Sequence, residues 1–266
     1  MKKLFLLFCL VALTLGIKAQ NQVTLRDVSR GTYRASNIYG IKPMLDGQYY
    51  TQISPDRKRI VKYSFKTGKQ VEAIFDVEKA RDCTLKYFDD YIMSPDEKLI
   101  LIQTKTRSIY RRSFTAEYYI YNVKNNTIEP LSKNGPQQVP LFSPDGFQVA
   151  FVRNNNIFLV KLLFGNSESQ ITKDGEYNKV LNGIPDWVYE EEFGFNRAFD
   201  FSADSKMIAY IRFDESQVPM YKFPLYKGMN PEYTEFATYP GEYTYKYPKS
   251  GEVNSTVSVH TYDIKS

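Results

Sequence analysis

Four short turn motifs recur along this 266-residue chain and constrain its fold more than any other feature. They are Ser54-Pro55-Asp56, Ser94-Pro95-Asp96, Ser143-Pro144-Asp145-Gly146 and the degenerate Ser202-Ala203-Asp204. Each has the chemistry of a type I turn, because proline presets φ at the second position and the aspartate side chain can bond nearby backbone. The motifs therefore predict four tight reversals of the chain.

A β-rich run follows each of these turns. The runs are 59–65, 99–103, 148–152 and 207–211, and further short runs follow at 118–122 and 156–160. The chain has 22 Tyr and 18 Phe, with scarcely any helical periodicity. Short alternating strands between turn signals predict an all-β fold.

The spacing of the turns, which begin at positions 54, 94, 143 and 202, favours one all-β architecture over another. A period of this length with several strands per unit is typical of β-propeller blades, which stack face to face and would use aromatic residues between them. Four turn signals and an incomplete unit after Gln217 predict a partial β-propeller of about four to five blades. A β-sandwich with coincidental turns is the alternative, since sandwiches also have short strands.

The N-terminal segment, 1–19, has the features of a secretory signal. A basic start at Lys2 and Lys3 precedes an uncharged, mostly apolar run over 4–17, and Ala19 supplies a small residue for cleavage. The run is short for a membrane span, which needs about 20 apolar residues. We expect cleavage near Ala19, a mature chain 20–266 without a membrane segment, and a periplasmic or extracellular location. A retained N-terminal anchor is the alternative.

Composition excludes several kinds of site from the mature chain. Loss of the segment 1–19 removes three lysines, so 35 minus 3 leaves 32 basic residues against 30 acidic ones. A near-neutral chain without a basic cluster predicts no nucleic-acid partner. Cys83 would be the remaining cysteine and His260 is the single histidine, so we expect no intramolecular disulfide, no metal site and no cofactor. His260 lies in an alternating run, 256–262, that we interpret as a strand of the fifth blade.

Three consecutive carboxylates, Glu190, Glu191 and Glu192, directly follow the aromatic residues Trp187 and Tyr189. Adjacent anions raise each other's pKa, so the arrangement needs a compensating cation or open water. If that cation is not built into the protein, it is a candidate ligand. The alternative is a solvated acidic turn at the surface.

Six segments, in this order and at this spacing, carry a resemblance to a known family. The segments are 24–27 (TLRD), 31–34 (GTYR), 110–116 (YRRSFTA), 151–157 (FVRNNNI), 182–192 (NGIPDWVYEEE) and 247–254 (YPKSGEVN). Together they resemble the N-terminal part of the dipeptidyl peptidase IV family of serine exopeptidases. The resemblance implies an eight-bladed propeller, of which this chain would be about half, and a separate α/β-hydrolase domain.

The resemblance also implies roles for the acidic segment. The glutamates matching Glu191 and Glu192 lie on a short helical insertion and bind the free α-ammonium of a substrate peptide, and Asp186 is a suitable N-cap for that helix. The arginine matching Arg111 binds the carbonyl oxygen of the second substrate residue and steadies the glutamate pair. We expect Glu190 to have a structural role and Arg112 to be an exposed charge.

The segment 225–253 is rich in Tyr and Pro. Its position resembles an extended arm through which members of the family form homodimers. A long surface hairpin without a dimer contact is the alternative.

The catalytic machinery of such an enzyme is not in this sequence. A Gly-x-Ser-x-Gly nucleophile elbow does not occur in the 266 residues, and a lone histidine without partners does not make a triad. One hypothesis is the N-terminal, substrate-gating part of a dipeptidyl peptidase that releases Xaa-Pro or Xaa-Ala dipeptides, truncated and inactive alone because the hydrolase domain is absent. The other is a noncatalytic exported propeller module for peptide binding or protein assembly, although an open ring would expose blade faces.

Overall fold

The computed structural model describes residues 22–35, 39–227 and 231–264, which fall into two compact units divided between Gly40 and Ile41. The predicted signal segment, 1–19, lies outside the described residues. In the first unit, helix α1 (Leu25–Arg30) has a capping box, because Thr24 and Asp27 each accept a backbone N–H of the other. None of the helices in the described ranges has the length and apolar character that crossing a bilayer requires.

The described part of the second unit contains four four-stranded antiparallel sheets that follow one another along the chain, and a two-stranded hairpin inserted in the last of them. The first sheet contains β1 (Lys42–Pro43), β2 (Tyr49–Ile53), β3 (Arg59–Ser64) and β4 (Gln70–Asp76). The second contains β5 (Asp90–Met93), β6 (Leu99–Ser108), β7 (Phe114–Asn122) and β8 (Thr127–Pro130). The third contains β9 (Gln138–Phe142), β10 (Gln148–Arg153), β11 (Asn156–Lys161) and β12 (Ser167–Gln170), with a 3₁₀ turn at Leu162–Phe164.

The fourth sheet carries two insertions. It is formed by β13 (Val180–Asn182), β14 (Phe199–Phe201), β15 (Met207–Asp214) and β18 (Thr256–Asp263). Helix α2 (Trp187–Phe193) lies between β13 and β14, which pair with the two ends of β15 along the edge opposite β18. A hairpin of β16 (Met220–Leu225) and β17 (Gly241–Lys246) separates β15 from β18, with a 3₁₀ segment at Pro231–Phe236.

The hydrophobic core lies between consecutive sheets as three separate clusters. Because side chains alternate across a strand, Ile100 and Ile102 pack against the first sheet, whereas Leu101 packs against the third. In the same way Phe151 contacts the second sheet and Val152 the fourth. A sandwich has one such layer, so this stacking identifies the fold as a partial β-propeller and confirms the predicted all-β class.

The four turn motifs do not all occupy the same place in their sheets. Those at 94–96, 143–146 and 202–204 each join an edge strand (β5, β9 or β14) to the strand beside it, but the one at 54–56 joins the two central strands β2 and β3. Each turn has the expected backbone hydrogen bond, for example from Glu97 N to Ser94 O at 2.9 Å. The spacing between the first two motifs is therefore not a blade-to-blade period, because turn chemistry is local and serves any hairpin.

The expected fifth blade does not form within the described residues. The strand that contains His260 is β18, and it pairs with β15 of the fourth sheet along the whole of that strand, from Met207 to Asp214. The chain after Gln217 instead forms the β16–β17 hairpin before it returns to that sheet. The assignment of His260 to a fifth blade was wrong because a hairpin insertion postpones the last strand of the fourth sheet.

Candidate functional site

Helix α2 leaves the edge of the fourth sheet through a glycine. Gly183 has φ +75°, and a Cβ there would lie 3.0 Å from the side chains of Ile157 and Phe199, so the position accommodates only glycine without strain. Asp186 caps the helix, as expected, by accepting the Tyr189 N–H at 2.9 Å. The other oxygen of the buried Asp186 accepts the Ser255 hydroxyl, which ties the start of the helix to the chain after the hairpin.

Aromatic rings hold α2 against the hairpin and the fourth sheet. The Trp187 ring centroid lies 4.4 Å from that of Tyr247 and 6.0 Å from that of Tyr245. Tyr189 packs edge-on against Phe213 of β15 at 5.0 Å. Such ring pairs add about 0.5–1.5 kcal/mol each beyond their buried area. The contribution of the hairpin to this site is not evident from the sequence.

Glu190, the first of the three glutamates, is fully buried and has the expected structural role. Its Oε1 accepts the backbone N–H groups of Arg112 at 2.7 Å and Ser113 at 2.9 Å, in the loop between β6 and β7. In the reverse direction, Nη1 of the exposed Arg112 donates to Glu190 O at 3.3 Å, and Asn196 Nδ2 donates to Arg112 O at 2.9 Å. These hydrogen bonds join the helix to a loop that is distant from it in the sequence.

Arg111 and Glu191 form an ion pair across this junction. Arg111 Nε lies 3.0 Å from Glu191 Oε2 and 3.3 Å from Oε1. The Arg111 side chain is 73% exposed and that of Glu191 is 18% exposed. The guanidinium therefore neutralises one carboxylate while keeping N–H groups available to solvent or a ligand.

Glu192 is exposed and has no hydrogen bond or ion pair within the described residues. The structure therefore brings Arg111 to Glu191 but not to Glu192. We expected Arg111 to relieve the repulsion between Glu191 and Glu192 by contacting both carboxylates, and in the structure it contacts Glu191. One carboxylate remains without a counter-charge at the solvent-exposed end of the cluster.

A cavity of about 510 Å³ lies beside the N-terminus of α2. Its lining includes Tyr110, Trp187 and a buried carboxyl group, Glu215, which sequence reasoning missed. Burial raises the pKa of Glu215 to about 7, and the negative charge of Asp186 adds to this effect. The segment Asp-Glu-Ser-Gln at 214–217 has the composition of an ordinary solvated turn, so its sequence contains no signal of burial.

The described residues contain no group of three or more His, Cys, Asp or Glu side chains placed to hold a metal ion. His260 stacks on Tyr210 with ring centroids 5.3 Å apart, and its Nε2 shares a hydrogen bond of 2.8 Å with Ser258 Oγ. No described carboxylate bonds the other ring nitrogen, so this pair has no third group to orient it.

Comparisons with known proteins agree with this architecture. Residues 94–266 match the family model "Dipeptidyl peptidase IV (DPP IV) N-terminal region". The chain is 39% identical over 181 residues to a probable dipeptidyl-aminopeptidase B of Talaromyces stipitatus, covering 65% of this chain and 20% of that protein. It is 32% identical over 236 residues to dipeptidyl peptidase 4 of Trichophyton equinum, covering 88% of this chain and 29% of the relative.

The crystal structure of Porphyromonas gingivalis dipeptidyl peptidase 4 is similar in fold as well. It superimposes with a TM-score of 0.82 at 44% sequence identity, over 93% of this chain and 34% of that one. The chain thus spans between a fifth and about a third of the length of these relatives.

Proposed function

Because the chain belongs to the dipeptidyl peptidase IV N-terminal family, we propose that it is the substrate-gating part of a serine exopeptidase that releases Xaa-Pro or Xaa-Ala dipeptides. The observation that supports this role most directly is the cluster of Arg111, Glu191 and Glu192 on an inserted, firmly anchored helix and the loop beside it. In this proposal the chain holds the N-terminus of a peptide, and residues outside this sequence carry out bond cleavage.

The charges of the cluster suit a substrate ammonium. Arg111 balances Glu191, so Glu192 leaves one uncompensated negative charge, which a single α-ammonium would cancel. An ammonium has three N–H donors and no acceptor, and two neighbouring carboxylates can bind most of them. The remaining guanidinium N–H groups of Arg111 are free to bind a substrate carbonyl oxygen.

The anchoring of the helix favours binding as well. The Glu190 and Asp186 side chains and the aromatic contacts of Trp187 hold α2 from three sides. A site whose groups are already held in place loses less conformational entropy when a ligand binds. Binding of the α-ammonium would fix the position of the peptide N-terminus, so that the bond after the second residue lies at a constant distance from it. An enzyme that removes dipeptides requires this.

Titration of the tripeptide Gly-Pro-Ala, which has a free N-terminus, into the chain tests the proposed ammonium binding. NMR or calorimetry measures the affinity. We expect Glu192→Gln and Glu191→Gln each to weaken binding by about tenfold or more, because each removes a charge-assisted contact worth about 1.5–3 kcal/mol. Glu129→Gln, on an exposed carboxylate of β8, is the matched control. Equal affinity for the N-acetylated tripeptide would refute the ammonium grip.

The alternative, a noncatalytic exported propeller module, makes a different prediction about the gene. Under the enzyme proposal, the coding sequence after Ser266 contains an in-frame or frameshifted Gly-x-Ser-x-Gly elbow. Its absence there would favour the binding module.

Two further aspects of the proposal concern the protein in its cell. We propose export through cleavage near Ala19, which N-terminal sequencing of the mature protein tests.

We also propose that the arm at 225–253, which includes the β17 strand of the observed hairpin, contributes to a homodimer. Light scattering on the chain with and without 226–240 tests this contact.

A further inference from the structure

The cavity beside α2 is separate from the Arg111–Glu191 cluster. Its lining comes from the loop after β6, the loop between β10 and β11, the segment before β13, the start of α2 and the end of β15. Arg111, Glu191 and Glu192 are not among the residues that line it. Three aromatic side chains, Tyr110, Tyr177 and Trp187, line the same space as Glu215.

Glu215 is the unusual member of this lining. The residue is only 6% exposed, yet its carboxylate makes no hydrogen bond or ion pair with any described residue. Lys246, the cation that acts on it electrostatically, donates instead to the carbonyl oxygens of Ser216 at 3.2 Å and Val218 at 2.7 Å. A buried carboxylate without a partner is costly, so a ligand that supplies donors and positive charge would be stabilised there.

The other charged groups of the lining already have partners. Arg153 is paired with Glu168, and Glu176 with Lys179. Asp186 accepts hydrogen bonds from Tyr189 N and the Ser255 hydroxyl. Among the described lining residues, Glu215 is therefore the one charge not engaged by the protein. The remaining polar groups include the amide side chains of Gln138, Asn154, Asn155 and Asn196.

We propose that this cavity binds an organic cation with N–H donors, an ammonium or guanidinium group, for which Glu215 is the counter-charge and the rings of Tyr110, Tyr177 and Trp187 form the walls. Aromatic faces attract cations through their quadrupole, and a carboxylate strengthens and directs the contact. A volume of about 510 Å³ accommodates a small molecule or the side chain of a basic peptide residue.

The protonation of Glu215 makes the proposal sensitive to pH. Burial raises the pKa of Glu215 to about 7; Asp186 and Asp214 raise it further, and Lys246 opposes them. Burial also raises the pKa of Tyr110, with Glu215 and Tyr177 contributing, so Tyr110 stays neutral. A cation binds the ionised carboxylate, and the ionised fraction increases about tenfold from pH 6 to pH 8, so affinity should rise by about the same factor.

Trp187 is the single tryptophan of the chain and lines this cavity, so its fluorescence is a probe of binding there. The probes are Nα-acetyl-arginine amide and the isosteric, uncharged Nα-acetyl-citrulline amide, titrated into the whole chain at pH 8. Both probes lack the α-ammonium that the proposed grip of Glu191 and Glu192 would bind, and Glu215→Gln separates binding in the cavity from guanidinium binding at that cluster. Putrescine, as a third probe, distinguishes a free amine from a peptide side chain as the source of the cation.

We expect saturable binding of the arginine probe, at least tenfold weaker binding of the citrulline probe, and weaker arginine binding at pH 6. Glu215→Gln should reduce affinity roughly ten- to hundredfold, whereas Glu129→Gln should leave it unchanged. If Glu215→Gln does not fold, the comparison of the two probes on the wild-type chain decides. Equal binding of arginine and citrulline probes, no saturable binding of any cation, or undiminished affinity in folded Glu215→Gln would overturn the proposal.

Discussion

The three consecutive glutamates of α2 have three different environments. Neighbours on a helix differ by about 100° in direction, so adjacent side chains face different surroundings. Glu190 points into the protein and binds two backbone N–H groups, Glu191 meets Arg111, and Glu192 is exposed. The like charges are thereby divided among a buried hydrogen-bond acceptor, an ion pair and a free carboxylate.

Glu190→Ala should destabilise the chain and loosen the loop that carries Arg111. The substitution leaves the part-buried N–H groups of Arg112 and Ser113 without their acceptor. An unpaired buried group costs about 1–3 kcal/mol in unfolding free energy, and we expect a total loss in that range because water can reach these two groups in part. Urea denaturation measures the loss, and amide hydrogen exchange at 112 and 113 locates it. Glu129→Ala, on an exposed position, should change stability by no more than about 0.5 kcal/mol. Unchanged exchange at 112 and 113 would contradict the role assigned to Glu190.

At the scale of elements, the four serine-aspartate turns share one hydrogen-bonding pattern although they lie at different places in their sheets. In each motif a backbone N–H closes the turn onto the serine carbonyl, and the next residue after the aspartate has positive φ. That residue is Gly146 in one motif, with φ +76°, whereas Glu97 accepts φ +58° in another. Local turn energetics therefore tolerate different residues, at a cost that glycine avoids.

Gly146→Ala should lower the unfolding free energy by about 1–2 kcal/mol, because an L side chain at positive φ is strained. Space does not explain the loss, since a Cβ there would make only an ordinary contact of 3.7 Å with Asp96. Gly146→Asn, which tolerates the left-handed region better, should be less destabilising and is the matched variant. Thermal or urea unfolding measures both. Asparagine as costly as alanine would show that packing, rather than φ, controls this turn.

At the scale of the whole molecule, the second unit is a stack of sheets with cores between them. The outer face of the fourth sheet remains partly open, with Val259 75% exposed and Met207 41% exposed. Apolar side chains on such a face are typical of a blade that has a neighbour in a propeller. The same stack brings no catalytic triad together within the described residues.

The chain should therefore not hydrolyse a Gly-Pro chromogenic substrate. Ser258 and His260 share a hydrogen bond, but no described carboxylate orients the imidazole, so Ser258 is not an activated nucleophile. A chromogenic assay measures turnover, and Ser258→Ala controls for a residual contribution of that serine. Clear hydrolysis abolished by a serine-directed inhibitor would show that the chain contains a nucleophile that the structure does not reveal.

Features that depend on neighbouring residues were predicted from the sequence. The serine-proline-aspartate turns, the alternating strands and the Asp186 cap each involve contacts within a few positions, and the family followed from the order of short motifs. The sequence also predicted that Glu190 would differ from Glu191 and Glu192. The turn, strand and cap predictions succeeded because the energetics of these features are local.

The tertiary structure decided which distant residues meet. The pairing of β18 with β15, the burial of Glu190 against the loop at 112–113 and the isolation of Glu215 each depend on chain segments that are far apart in the sequence. An insertion of a hairpin or helix changes such pairings without changing any local pattern. Local chemistry thus determined the turns, strands and helix cap, whereas sheet stacking decided the partner of each charge, because burial and pairing arise only when distant segments pack together.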